Sequence, residues 1–367
     1  MNKKLSVFIT VFFVCVCAVS YASNTPLTYE NARSLAMGGV SVSLADDEQA
    51  LFCNPAGLYL RESNGYSLIN PFMAENKDFD SVLGAIDGLS NEDTAASRGE
   101  NMRKLRAVMG KTGYRNRSNM AYYIGKTGFG TAAYYSDRET YSVENPVNPR
   151  LNSRVDKDMV FSASIARSLS EEHMLFKDKT SAWWGATMKI ATRKRADSSY
   201  FVRDFSALTP ELVKDTDSSG TTMDFDVGGL WQLNNPFNPT IGFFVGNILG
   251  SKFSSDAGKL ERQFAIGGSI RPLTGDAERN KRIVLAAEYW DNGKEGNFFT
   301  KVRLGSEIKI ANSLSLHAGV RSGYPTGGLS FAWHDVRLQA AVYSEELGKR
   351  PGDFEDKRYA FGAALEF

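Results

Sequence analysis

The chain has 367 residues, with 43 Lys plus Arg against 42 Asp plus Glu and a formal net charge of +1. That balance argues against a nucleic-acid binder, which would carry a basic excess. After the first 22 residues no run of about 20 apolar residues exists to form a transmembrane helix. The 33 glycines, 12% aromatic content and mean hydropathy of −0.30 instead fit half-apolar strands.

Residues 1–22 read as a secretory signal peptide. Lys3 and Lys4 form the positive region, Leu5 to Val19 the apolar core, and Ser20-Tyr21-Ala22 the cleavage site. Removing Lys3 and Lys4 brings the basic and acidic counts almost level. Cys15 and Cys17 leave with the leader. Cys53 remains, so no intramolecular disulfide is expected and the thiol should be a buried small hydrophobe.

Residues 23–62 read as a compact segment ahead of the strands. Within it, 31–58 carries a short amphipathic stretch, Gly38-Gly39, and a strand-like run of Val40, Val42 and Leu44. An acidic turn of Asp46, Asp47 and Glu48 follows, expected to be solvated. Then come Ala50, Leu51 and Phe52, and the turn Asn54-Pro55-Ala56-Gly57. Proline fixes φ, glycine permits unusual φ, and asparagine bonds local backbone, so this turn should be rigid.

Residues 63–367 read as an antiparallel barrel. Alternation and turn residues give fourteen strands: 65–72, 118–125, 128–136, 158–167, 181–193, 221–233, 240–249, 262–270, 282–290, 300–310, 314–321, 328–333, 336–344 and 358–367. Met223, Phe225, Val227 and Trp231 oppose Asp224, Asp226 and Gln232. Val302, Leu304, Ile308 and Ile310 oppose Lys301, Arg303, Glu307 and Lys309. One face suits lipid and the other a polar lumen.

The outer connections should be long: 73–117, 137–157, 194–220, 250–261, 291–299, 322–327 and 345–357. Residues 85–110 within the first have helical spacing. Trp183, Trp184, Trp231 and Trp333 fall at inner strand ends. Trp290, with Tyr289, Tyr134, Tyr135, Tyr343 and Tyr359, falls at outer ends, where amphipathic rings favour the interface.

Tyr359, Phe361, Ala363, Leu365 and Phe367 share one face of the last strand. Arg358, Ala360, Gly362, Ala364 and Glu366 share the other. Such an ending resembles the assembly signal of outer-membrane barrels, which implies the barrel-assembly machinery as a partner.

Catalytic chemistry finds little support. His173 and His334 lie in expected turns, and His317 alternates into the lumen beside Ser315 as a solvated residue. No spacing predicts a nucleophile set, and no metal cluster, phosphate loop or cofactor motif appears. Lys189, Lys301, Arg303, Glu307, Arg337 and Glu288 are candidate lumen charges whose pairs brace the wall.

The order Ala-Arg, Met-Gly-Gly, Ala-Asp-Asp and Asn-Pro-Ala-Gly-Leu across 31–58 resembles the N-terminal hatch of FadL-type outer-membrane transporters. The resemblance implies an all-β transmembrane barrel of about 14 strands in the bacterial outer membrane, with a plug in its lumen. It implies passive transport of hydrophobic compounds such as long-chain fatty acids, without enzyme chemistry and without nucleic acid. Lipid and a hydrophobic small molecule are the implied partners. By the same resemblance Gly38, Gly39, Asn54, Pro55, Ala56 and Gly57 lie on the ligand path. Gly128 and Gly130 lie on the strand beside a lateral opening. The type IX secretion shuttle porin is a relative, and it implies an alternative role in binding secreted proteins.

Overall fold

The computed structural model describes residues 29–61, 64–89, 94–145, 147, 149–169, 180–201, 218–272, 283–293 and 296–367. The leader, residues 23–28 and His173 lie outside the described residues. The strands are β1 (Gly65–Ile69), β2 (Pro71–Asn76), β3 (Thr112–Gly125), β4 (Phe129–Glu144), β5 (Arg150–Ser168), β6 (Thr180–Phe201), β7 (Ser218–Leu233) and β8 (Thr240–Gly246). They continue with β9 (Gln263–Ile270), β10 (Ile283–Asp291), β11 (Val302–Ala311), β12 (Leu314–Arg321), β13 (Tyr324–Trp333), β14 (Val336–Glu346) and β15 (Glu355–Glu366). Each pairs antiparallel with its neighbours.

The sheet closes on itself. β1 and β2 both pair with β15 on one side and β3 on the other, so they share one wall position. The wall therefore has fourteen positions, as the sequence implied. The expected single strand 65–72 is broken at Asn70. Pro71 cannot donate to a ladder, and the register slips between Ser67 and Ile69. Phe367 completes the seam: its N–H donates to the Tyr66 carbonyl at 2.9 Å, Tyr66 returns the bond at 3.0 Å, and their rings stack. Closure leaves no edge to pair with another chain.

Alternation decides the two faces, as expected. Leu304, Ile308, Met223, Phe225, Tyr359 and Phe361 point outward and are exposed, while Asp224, Asp226, Arg303, Glu307 and Arg358 are buried on the lumen side. The aromatic expectation needs correction. Trp184, Trp231, Trp333, Tyr135 and Tyr359 are exposed on the outer surface. Trp290, Tyr134 and Tyr343 are 2%, 3% and 2% exposed and face inward. Trp183 shares the lumen face with its register partner Leu230. Adjacent residues in a strand point to opposite faces, so only one member of each aromatic pair can reach lipid.

Two of the expected outer loops, 137–157 and 194–220, are entered by long strand extensions. β4 runs on to Glu144 and β5 starts at Arg150, so 137–157 is a hairpin. β6 runs to Phe201, and β7 starts at Ser218. These extensions are mostly polar by residue type, with Tyr141, Val143, Leu151 and Val155 among the apolar exceptions, which mimics loop composition. Cross-strand pairs hold them: Arg193 with Asp158 at 2.6 Å, Arg195 with Asp156 at 2.6 Å, and Arg154 with Asp197. The tall wall of β3–β6 carries a helical pair, α3 (Phe79–Asp87) and α4 (Ala95–Ala107), in the region expected to be helical. Phe79, Val82, Ile86 and Leu105 bury against Tyr141, Val143, Leu151 and Val155.

Candidate functional site: the filled lumen

Residues 29–61 lie inside the barrel and nearly all are buried. The segment starts with α1 (Ala32–Ala36), whose N-cap Asn31 accepts from Ser34 N–H at 2.9 Å. Gly38 and Gly39 follow at φ +71° and +87°, in the left-handed region that admits glycine. A Cβ at Gly38 would stand 2.5 Å from the Val320 carbonyl oxygen, so the turn touches β12 backbone. α2 (Ala50–Cys53) and a 3₁₀ turn (Pro55–Leu60) complete the segment.

Charge fastens the α1 end. Arg33 Nε binds Glu307 at 2.7 Å, and its Nη1 binds Asp46 at 2.7 Å and Asp47 at 3.2 Å. Arg337 on β14 binds Glu48 at 2.7 Å and Glu366 at 2.9 Å. Glu48 also accepts from Asn31 Nδ2 at 2.8 Å and from the Tyr29 hydroxyl at 3.1 Å. Glu288 accepts from the N–H groups of Ser41 and Val42 at 3.0 and 2.8 Å, and Arg303 donates to the Gly39 carbonyl at 2.7 Å.

The acidic turn is therefore solvated only at Asp46, whose side chain is 43% exposed, while those of Glu48 and Asp47 are 1% and 11% exposed. Burial opposes ionisation of Glu48, but Arg337 and the bond from Asn31 outweigh it and hold its carboxyl at about 2. Asp47 accepts from Asn31, Arg33 and the Gln49 N–H, but these do not outweigh what opposes its ionisation. Burial, and then the charge of Glu48, push it up to about 6.

Shape fastens the other end. Asn54 is fully buried, donates to the carbonyls of Val42 at 2.8 Å and Gly229 at 3.1 Å, and accepts from Ala56 N–H. Pro55 takes the first position of the 3₁₀ turn, where its missing N–H costs nothing. A Cβ on Gly57 would stand 2.6 Å from the Ala45 Cβ. The wall answers with inward glycines. A Cβ at Gly185 would stand 2.5 Å from Ala56 N, at Gly242 2.5 Å from the Val42 carbonyl, and at Gly305 2.5 Å from the Met37 carbonyl. Sequence reasoning passed over these wall glycines. Their signal is a glycine at a lumen-parity position in a strand interior, which marks close backbone approach.

A second element enters the lumen from the wall. The connection 250–261, expected outside, folds inward: Phe253, Ala257 and Leu260 are buried with Tyr29, Leu51, Leu58, Met120, Tyr122 and Tyr134. Asp224 anchors it by accepting from Leu249 and Ser251 N–H at 3.0 and 2.9 Å, and Asp226 accepts from Asn247 N–H at 2.7 Å.

Above the plug is a cavity of about 620 Å³. Arg138, Arg150, Arg154, Arg303, Arg321 and Arg358 line it, with Glu30, Glu144, Asp197 and Glu345. It is a polar vestibule, unlike the greasy pocket that a hydrophobic-compound path suggests. Glu30 is the plug residue in its lining.

No family model matches the sequence, and no curated protein matches it. Among solved structures the chain is similar to the TodX deltaS2S3 mutant monoaromatic hydrocarbon channel. Identity is 15%, the match covers 93% of this chain and 98% of that chain, and the TM-score is 0.51. The chain shares that channel's fold. It is also similar to the Pseudomonas putida toluene transporter TodX (12% identity, 93% and 98% covered, TM-score 0.46). The Ralstonia pickettii toluene transporter TbuX is a third (13% identity, 93% and 98% covered, TM-score 0.43). The FadL-type resemblance read from residues 31–58 agrees with this at the level of fold.

The structure brings Gly38, Gly39, Asn54, Pro55, Ala56 and Gly57 into one packed segment, yet none of them lines the vestibule. Gly128 sits in the β3–β4 turn at φ +74°. Gly130 pairs with Ile124 and Ser164 and makes room for Leu51. The ladders on both sides of β4 run unbroken past Gly130, so a lateral opening there requires strands to part.

The remaining candidates also find places. Cys53 is 2% exposed, packed with Val42, Phe244 and Trp290. His317 is 4% exposed rather than solvated, with Nε2 2.8 Å from Ser330 Oγ. Of the lumen charges, Lys189 pairs with Asp226, Lys301 with Asp291, and Glu288 with Arg303, while Glu307 and Arg337 bind the plug.

Proposed function

We propose that the protein is a passive channel for hydrophobic compounds in the bacterial outer membrane, with residues 29–61 as its plug. The observation that carries this reading is the state of the lumen. An open aqueous pore has no use for a buried segment that packs Tyr29, Leu51 and Leu58 against Met120, Tyr122 and Tyr134. A solute with an apolar tail gains nothing from a water-filled lumen, but gains from apolar contact along the way. The outward band of Phe161, Ile190, Leu304 and Phe361 supports a membrane setting, because barrels place such a band against lipid.

The fold it shares with a monoaromatic hydrocarbon channel supports the substrate class. The arginine-lined vestibule adds a preference for a compound with an anionic head, such as a long-chain fatty acid. Guanidinium groups meet carboxylates in paired hydrogen bonds. Movement of the plug then opens the route, without an energy source.

The test is uptake of labelled fatty acid and labelled toluene by cells whose outer membrane carries the barrel. Faster uptake than in control cells is the expected result. No gain for either compound, with the barrel shown in the outer membrane by fractionation and heat-modifiability, overturns the reading. Deletion of 31–58 should leave the wall ladders intact and raise single-channel conductance.

A further inference from the structure

The outward face of the tall wall changes character along successive cross-strand rows. Ala121, Ala133, Phe161, Ile190 and Met223 are register partners across β3–β7. The next row is Asn119, Tyr135, Met159, Thr192 and Thr221. Beyond it come Arg117, Asp137, Lys157, Lys194 and Ser219. Partners in register share a face, so the three rows adjoin on one surface. Phe161, Met159 and Tyr135 are exposed, which makes that surface the outer one. On each of these strands the apolar alternation ends before the charged row. A barrel surface leaves hydrocarbon for the headgroup layer at such a line.

The charges in that row are unevenly matched. Asp137 turns to Arg117 at 3.0 Å, and Glu139 binds the same guanidinium at 2.8 Å. Arg115 is held by Glu75 and Asp80. Lys157 and Lys194 stand directly opposite one another, and neither has an ion-pair partner among the described residues. Like charges directly opposite in a sheet repel. An oxyanion between them turns that repulsion into attraction. Lys157 also lines a cavity of about 310 Å³ with Arg115, Arg117, Tyr141, Val155 and Leu83 of α3, together with Asp137 and Glu139, whose charges are met by Arg117.

We infer that this surface docks the phosphate-bearing headgroups of the surrounding lipid, with Lys157 and Lys194 clamping the phosphate. The inference rests on the membrane-barrel reading above. The position at the end of the apolar band selects a lipid over a free anion, because a lipid's chains lie along Phe161 and Ile190 while its headgroup reaches the lysines. A lysine near an anionic membrane surface contributes enough to change affinity about five-fold.

The test titrates the full chain, in neutral detergent, with dioctanoyl phosphatidic acid and with dioctanoyl phosphatidylcholine, read by native mass spectrometry. Phosphatidic acid should bind at least ten-fold tighter. Lys157→Gln should weaken it about five-fold, and the double change with Lys194→Gln about twenty-five-fold. Lys157→Arg should bind as the parent does, and Arg350→Gln, on the outer connection after β14, should change nothing. A heat-modifiability gel confirms that each variant is folded. If Lys157→Gln loses the folded band, Lys194→Gln alone carries the test with the same expected loss. Equal affinity for the two lipids overturns the inference, as does an equal loss in Arg350→Gln. Displacement by inorganic phosphate at matching concentration also overturns it, since the site would then take a free anion. Failed uptake with preserved lipid discrimination sinks the transport reading alone; lost discrimination with normal uptake sinks this site alone.

Discussion

The two ends of the plug are fastened by different physics. At the α1 end, Arg33 binds Glu307 and Glu48 binds Arg337 through buried ion pairs, with Asp46 and Asp47 closing on Arg33 within the plug. At the 3₁₀ end, Asn54 to Ala56 press against wall backbone exposed by Gly185 and Gly228. Buried ion pairs set position and orientation, yet their Coulomb attraction is offset by desolvation, so removing both partners costs little and removing one costs much. A glycine seat has the opposite property. No partner change restores it, because the obstacle is backbone. The ion pairs of the α1 end can be exchanged by rearranging side chains, while the glycine seats hold, including those that Gly305 and Gly328 offer to Met37 and Ala36.

Breaking one ion-pair partner should have the largest effect. Arg337→Met leaves Glu48, 1% exposed, without its cation, and should cost about 3–5 kcal/mol. Protease sensitivity of the plug and the denaturation midpoint measure it. Adding Glu48→Gln should recover more than half the loss. A single change that costs nothing shows that the clamp does not hold the plug.

Filling the seat comes next. Gly185→Val drives a side chain into Pro55 and Ala56 and should cost about 1–3 kcal/mol. Single-channel conductance should rise as the 3₁₀ end lifts. Gly268→Ala, whose Cβ would meet nothing nearer than the Thr240 carbonyl at 3.8 Å, is the control and should change neither quantity. Equal behaviour of the two variants would remove the argument for a seat.

A pH measurement sharpens the charged side. Asp47 is pushed up to about 6, so its contribution favours the folded plug at low pH and is lost as pH rises through 6. Glu48 is held at about 2, so its contribution is present above the usual glutamate value and fades as pH falls towards 2. Between pH 7 and 5 the Glu48 term is constant while the Asp47 term changes. Hydrogen-exchange protection factors in residues 31–53, which remove the intrinsic pH dependence of exchange, should rise over that interval more in the parent chain than in Asp47→Asn. Parallel profiles would show that Asp47 is not the titrating group.

The smallest effect belongs to Pro55→Gly. It restores backbone freedom to the unfolded chain and should cost about 0.4–1 kcal/mol. Uptake of a hydrophobic compound should change more than the amount of inserted barrel. Unaltered uptake at normal expression makes the turn packing material only.

Strand number and inside-outside parity were legible in the sequence, because period-two alternation is a local property. So was the existence of a compact segment before the strands, since Gly38-Gly39 and Asn54 to Gly57 announce turns by residue type. Cys53 as a buried hydrophobe followed from composition alone. Strand length was not legible: 137–157 and 194–201 read as loops because they are rich in polar residues, and only the cross-strand register, with pairs such as Asp156–Arg195, reveals a ladder. The broken first strand, the inward fold of 250–261, and the burial of Glu48, His317 and Trp290 were also decided in three dimensions. Each depends on what stands across the lumen, many residues away in sequence. Alternation says which way a side chain points, but only closure of the barrel says what it meets there.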